Sequence, residues 1–265
     1  VESFYLDRPL NFAHRGASHE APENTLAAFL LAAELGADGI EFDVQLSRDG
    51  EVVVLHDFKL ETTTDGLGPV ADKTLAELKE LDAGAHFDPS FAGQRIPTLQ
   101  EVIDAVGHRL LLNIELKTAG LRDDGLAAAV VRAVEENHLQ DRVVVSSFNP
   151  LALWRVKRLN VRISLGLLYA LDMPLPLRRA WLRRLVRPEA LHPDHSLVGA
   201  DYVRWARAQG YRINVWTADD PGRMWQLMRL GVDLIITNRP DLLREVLLAG
   251  QGRWRAPAQR LLAAP

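Results

Sequence analysis

The sequence predicts an α/β barrel of the TIM, or (β/α)8, type. Short apolar runs of β character alternate with amphipathic helical stretches along most of the chain. Polar residues gather where those runs stop, and barrels of this type keep their active sites at the carboxyl ends of their strands. The length, 265 residues, suits a fold that typically uses about 250. A doubly wound open sheet is the rival, but the first strand-to-helix turn carries no glycine-rich phosphate fingerprint.

Leu10 to Ala13 reads as the first strand and Asn24 to Leu35 as the first helix, with Asn24 as candidate cap and Gly36 as the stop. Between them lie Ala13-His14-Arg15-Gly16 and Pro22-Glu23-Asn24-Thr25, which gather His, Arg, Glu and Asn in one turn. Gly39 to Leu46 alternates strictly: Ile40, Phe42, Val44 and Leu46 share one face, Glu41, Asp43 and Gln45 the other. A half-buried strand would simply wet that polar face. In a barrel it points inward, where carboxylates need a cation or a positive partner.

The tight turn Arg48-Asp49-Gly50-Glu51 leaves no room for a crossover helix, so Val52 to Leu55 should return as a hairpin and end at His56-Asp57. Residues 58–97 break the rhythm, with one short helix at Leu75 to Leu81, and read as an insertion over one mouth of the fold. Thr98 caps the next helix, and Arg109 to Leu116 is a strand placing Asn113, Glu115 and Lys117 on one face. Further strands are expected at Arg142 to Ser147, Arg162 to Leu168, Tyr211 to Trp216 and Val232 to Thr237. Helices are expected at 123–137, 150–159, 199–208, 220–230 and 240–248. Residues 1–250 are thus expected to form one barrel domain containing the 58–97 insertion, with 251–265 as a peripheral tail.

Composition narrows the function. A net charge of −4 gives no global field for nucleic acid, and the absence of cysteine excludes disulfides, thiolate metal sites and a cysteine nucleophile. No apolar run approaches the roughly 20 residues of a membrane span, and no signal peptide is visible, so a cytoplasmic location is expected.

The strand ends supply His14, Arg15, Glu41, Asp43, His56, Glu115, Lys117, Phe148 and Trp216. Three carboxylates suit a hard divalent cation such as Mg²⁺ or Ca²⁺ better than zinc. Two histidines on different strands can act as general acid and base, and Arg15 and Lys117 can hold an anion. Together these describe phosphate-ester cleavage better than glycosidase or acyl chemistry. The plainer alternative is an ion network in which the carboxylates pair with Arg15 and Lys117.

His14-Arg15-Gly16, Pro22-Glu23-Asn24-Thr25, Glu41-Phe42-Asp43, His56-Asp57, Ile114-Glu115-Leu116-Lys117, Ser147-Phe148, Val215-Trp216-Thr217 and Thr237-Asn238-Arg239-Pro240 together resemble the glycerophosphodiester phosphodiesterase family in the same order. The resemblance implies a distorted TIM barrel with a small insertion after the third strand. It also implies hydrolysis of glycerophosphodiesters to glycerol 3-phosphate and an alcohol. Glu41, Asp43 and Glu115 would hold the metal, with His14 and His56 as the acid/base pair. Arg15 and Lys117 would hold phosphate oxygens, Glu23 would orient groups near His14, and Phe148 and Trp216 would wall the glycerol. Attack by a glycerol hydroxyl through a cyclic phosphate and direct attack by water are both open. So is the rival of a phospholipase D-like enzyme acting on lysophospholipids or sphingomyelin. A catalytically silent phosphodiester-binding barrel is the non-enzymatic reading.

Residues 175–187 set Arg178, Arg179, Arg183, Arg184 and Arg187 among Leu175, Leu177, Trp181, Leu182, Leu185 and Val186, a basic amphipathic helix. Peripheral membrane contact is one use. An outer barrel helix with a solvated basic face is the preferred one.

Overall fold

The structure is a computed structural model that describes residues 4–118, 120, 122–175 and 180–250. Its strands are β1 (Leu10–His14), β2 (Gly39–Leu46), β3 (Val52–Val54), β4 (Leu111–Leu116), β5 (Val143–Ser147), β6 (Ser164–Tyr169), β7 (Ala190–Pro193), β8 (Arg212–Val215) and β9 (Leu234–Thr237). β1 pairs in parallel with both β2 and β9, and parallel pairing runs unbroken from β2 through β4 to β9. Eight parallel strands therefore close into a barrel without an edge. β3 stands outside this ring, antiparallel on the end of β2.

Two sequence expectations are corrected here. Val52 to Leu55 is the return arm of the expected hairpin and not a barrel strand. The missing strand is β7, in a stretch without clear pattern. Its four residues, Ala190 to Pro193, are too few to show a period. The interior accommodates the His192 ring because it lies over Gly166 of β6, two residues along from its register partner Leu168. A Cβ on Gly166 would stand 2.2 Å from the His192 ring.

Residues 58–97 do have a core of their own. Leu60, Val70, Leu78, Ala83 and Ile96 pack with Val53 and Leu55 of the β3 arm. The segment is built from a short helix, Leu75–Lys79, and single turns at Leu60–Thr62, Val70–Asp72 and Pro89–Phe91. Its apolar residues follow no regular period because no long element carries them. At the amino-terminal end of the strands, Phe4 and Tyr5 pack on Leu10, Phe12, Val144, Leu234 and Ile236 and fill the barrel interior.

The expected continuous basic helix is also corrected. Among the described residues it is a single turn, Arg183–Val186. Ala180 adopts a left-handed backbone (φ 48°) that interrupts any helix running through it. Leu177, Arg178 and Arg179, and the 251–265 tail, lie outside the described residues. Among the described residues no helix is long and apolar enough to cross a membrane.

Candidate active site

The β1 turn sets the site. Arg15 and Gly16 both take positive φ, 56° and 87°. Gly16 does so without penalty and has no room for a side chain, since a Cβ would meet Ala28 at 2.6 Å. For Arg15 the conformation costs about 1–3 kcal/mol. It is held by backbone hydrogen bonds from its amide to the Glu41 carbonyl (2.8 Å) and from the Asn24 amide to its own carbonyl (2.9 Å). This sharp turn brings His14, Arg15 and Glu23 onto the rim together.

Asn24 is not the helix cap. Thr25 caps, accepting from the Ala28 amide, and the helix runs Leu26–Glu34. Asn24 sits in the left-handed region (φ 57°), where its side-chain amide donates to Asp43 Oδ2 at 3.1 Å. Glu41 and Asp43 of β2 and Glu115 of β4 point inward as their alternation requires, and Asp43 lies directly across from Glu115 in the register. All three are buried, each with a ligand atom within 4.8 Å of the others.

The two cations are paired with this cluster. Arg15 Nε lies 3.4 Å from Asp43 Oδ2, and its Nη1 donates to Glu23 Oε1 at 2.9 Å. Lys117 Nζ lies 3.1 Å from Glu115 and 3.7 Å from Asp43. Glu41 accepts from the Arg15 backbone amide at 3.3 Å and has His14 Nε2 at 3.8 Å. The electrostatics follow. Burial raises the Glu41 carboxyl well above its usual range, and Asp43 and Glu115 push it further. Burial and the Asp43 charge bring Glu115 up to about 7. Burial also opposes ionisation of Asp43, but Arg15, Lys117 and His56 outweigh it and hold that carboxyl below its ordinary value. Asp43 is thus the most readily ionised member of the three. The other two await a further positive charge. Such a donor set, three hard oxygen donors around one point with mutual repulsion opposing ionisation of two of them, fits a divalent cation.

The two histidines have unlike partners. Asn238 donates through Nδ2 to Asp219 Oδ2 (2.6 Å), so its Oδ1 faces Nδ1 of His14 at 2.7 Å and must accept from it. The proton of neutral His14 therefore sits on Nδ1, and Nε2 turns its lone pair towards Glu41. Burial, reinforced by Arg15, lowers the His14 pKa to about 4. His56, at the end of the β3 arm, instead pairs its Nδ1 with the Asp57 carboxylate at 2.6 Å. Between them opens a cavity of about 240 Å³ lined by His14, Arg15, Glu41, His56, Asn113, Glu115, Ser146, Phe148, Leu168, Trp216 and Ile236. Phe148 and Trp216 meet edge to face, ring centres 5.4 Å apart, and Trp216 is pinned by donating to the His192 carbonyl at 2.8 Å.

Over residues 14–242 the sequence matches the Glycerophosphoryl diester phosphodiesterase family. The chain belongs to that family. It is 42% identical over 246 residues to a glycerophosphodiester phosphodiesterase of Caldanaerobacter subterraneus subsp. tengcongensis, covering 92% of this chain and 99% of that one. A phosphodiesterase of Oleispira antarctica, solved in complex with the product sn-glycerol-3-phosphate, superposes with a TM-score of 0.82 at 34% identity, covering 91% of this chain and 97% of that one. A glycerophosphodiester phosphodiesterase from Agrobacterium tumefaciens gives 0.78 at 29% identity, covering 89% and 99%.

All ten side chains expected at a glycerophosphodiester phosphodiesterase site stand around this one rim. Eight form the carboxylate cluster or line the cavity directly. Lys117 and Glu23 stand behind these, paired with Glu115 and Arg15. Sequence reasoning passed over Asn238 and Asp219 as partners of His14, and Asn113, Ser146, Leu168 and Ile236 as lining. Alternation carried a signal for two of these: Asn113 shares the inward face of Glu115, and Ser146, one residue before the end of β5, is on a register rung with it.

Proposed function

We propose that this chain hydrolyses glycerophosphodiesters to glycerol 3-phosphate and an alcohol, with residues 1–250 acting as one catalytic domain. The observation that carries the reading is the asymmetry of the two histidines across a buried carboxylate cluster. His14 donates through Nδ1 to Asn238, which leaves its Nε2 lone pair facing Glu41 and the cavity, and His56 pairs its Nδ1 with the Asp57 carboxylate. The product found in the Oleispira antarctica relative supports the substrate class.

Glu41, Asp43 and Glu115 would hold the divalent cation, Mg²⁺ or Ca²⁺, which when bound supplies Lewis-acid polarisation of the phosphate. The remaining work falls to the chain's own groups. Arg15 meets a phosphate oxygen while Glu23 fixes its guanidinium plane. Lys117 adds positive charge behind Glu115. His14 takes the proton from the attacking oxygen through Nε2, and His56 gives one to the departing alcohol oxygen. Phe148 and Trp216 wall the glycerol and keep water from that side.

The test is release of glycerol 3-phosphate from glycerophosphocholine, first with chelator and then with Mg²⁺ or Ca²⁺ restored. Metal-dependent release is expected. No release with either metal overturns the reading and directs attention to lysophospholipid and sphingomyelin substrates.

A further inference from the structure

The cavity has a floor that the reaction chemistry leaves unused. Asn113 of β4 and Ser146 of β5 both line it, and both are at most 1% exposed. Neither the amide nitrogen nor the amide oxygen of Asn113 has a hydrogen-bond partner among the described residues, and the Ser146 hydroxyl has none either. Most buried polar atoms are paired, because an unpaired one forfeits its hydration for nothing. Three such atoms on adjacent strands of one cavity are groups waiting for a ligand.

Their chemistry says which kind. In the register Asn113 stands beside Glu41 and Ser146 beside Glu115, so both are neighbours of the carboxylate cluster. Neither carries a charge. An anion is the wrong guest, since the amide oxygen of Asn113 would face it and three carboxylates surround the position. A cation is served by the carboxylates themselves. An amide and a hydroxyl each offer a donor and an acceptor, which is what an alcohol group needs on both sides. Leu168 and Ile236 beside them suit the carbon skeleton that carries such groups.

We propose that Asn113 and Ser146 are specificity-determining residues that bind the free hydroxyls of the glycerol moiety. The inference rests on the glycerophosphodiester reading above and deepens it. A site built to hydrogen-bond a hydroxyl rejects the analogue lacking it, because its buried polar groups are then left unpaired.

The experiment measures binding and not turnover, so it can fail separately from the proposed activity. Dissociation constants are determined by calorimetry for sn-glycerol 3-phosphate and for ethyl phosphate, which keeps the phosphate and lacks both hydroxyls. The wild-type chain is expected to favour glycerol 3-phosphate strongly. Asn113→Leu, nearly isosteric, and Ser146→Ala should each shrink that preference by about tenfold, while ethyl phosphate affinity stays unchanged. A wild-type chain that binds both ligands alike overturns the proposal. So does an unchanged ratio in either folded variant, or an equal loss for both ligands. If Asn113→Leu does not fold, Ser146→Ala decides alone. Glycerophosphocholine turnover, assayed in parallel, reports separately on the activity itself.

Discussion

Asn238 Oδ1 lies 2.7 Å from His14 Nδ1, and the far side of the same amide is tied to Asp219 at 2.6 Å. The β8–β9 side of the rim thereby decides which nitrogen of a β1 histidine carries the proton. Asp219 reinforces the arrangement by accepting also from the Asn238 amide and the Thr237 hydroxyl. On the reading proposed above, Asn238 is a positioning residue that acts through His14.

Asn238→Ala should therefore lower kcat by about 10–100-fold, the usual cost of losing a partner that orients a functional histidine, with KM little changed. Steady-state kinetics on glycerophosphocholine separates the two constants. A rise in KM alone would mean that Asn238 serves binding and not tautomer selection.

Replacing either histidine by alanine should cost about 10²–10⁴ in turnover. The two losses should differ in kind. A substrate with a very acidic leaving alcohol, such as a nitrophenyl ester, needs little protonation as it departs. It should rescue His56→Ala substantially and His14→Ala hardly at all. Equal rescue of both variants would remove the base and acid assignments.

Metal affinity should weaken as pH falls. Glu115 titrates near 7 in the metal-free protein, and Glu41 is likewise raised. Below that range both hold protons which the cation must displace. Calorimetry in buffers of different ionisation enthalpy should show proton release on Mg²⁺ or Ca²⁺ binding that grows from about pH 8 to about pH 6. Binding without proton release throughout would contradict the electrostatics of the cluster.

Glu41→Gln should raise the thermal stability of the chelated protein while abolishing activity. A carboxyl whose pKa is raised on folding favours the folded state below its unfolded pKa, and that contribution is lost as pH rises through the folded value. Gln keeps the shape of the protonated form and has no charge to lose. The gain should therefore be larger at alkaline pH than at about pH 5, and added metal should no longer stabilise the variant. Thermal melts with chelator and with metal report both effects.

Gly166→Ala should destabilise the barrel by about 1–3 kcal/mol, the usual range for overpacking, because the new methyl meets the His192 ring. Pairing it with His192→Ala should return part of the loss, a coupling visible in a double-mutant cycle by denaturant titration. Strict additivity would show that the barrel relaxes around the methyl instead.

Much of this molecule was determined by local sequence. Strict alternation over Gly39 to Leu46 set the inward face of β2, because side chains on a strand have period two whatever surrounds them. The same rule placed Glu115, and the short Arg48–Glu51 turn required the β2–β3 hairpin. The ordered motifs from His14 to Pro240 identified the family.

Other features were decided only by tertiary structure. β7 is too short for a period to appear, and it exists as a strand because β6 and β8 offer backbone partners on both sides. The basic stretch around Arg183 had the composition of a helix, and the backbone at Ala180 broke it. The partnership of His14 with Asn238 spans 224 residues of sequence separation. Barrel closure, which pairs β1 with β9, brings the two together. Periodicity reports which way a side chain faces. Only closure of the ring decides what it faces, and that sets the charge on Glu41, the tautomer of His14 and the floor beneath them.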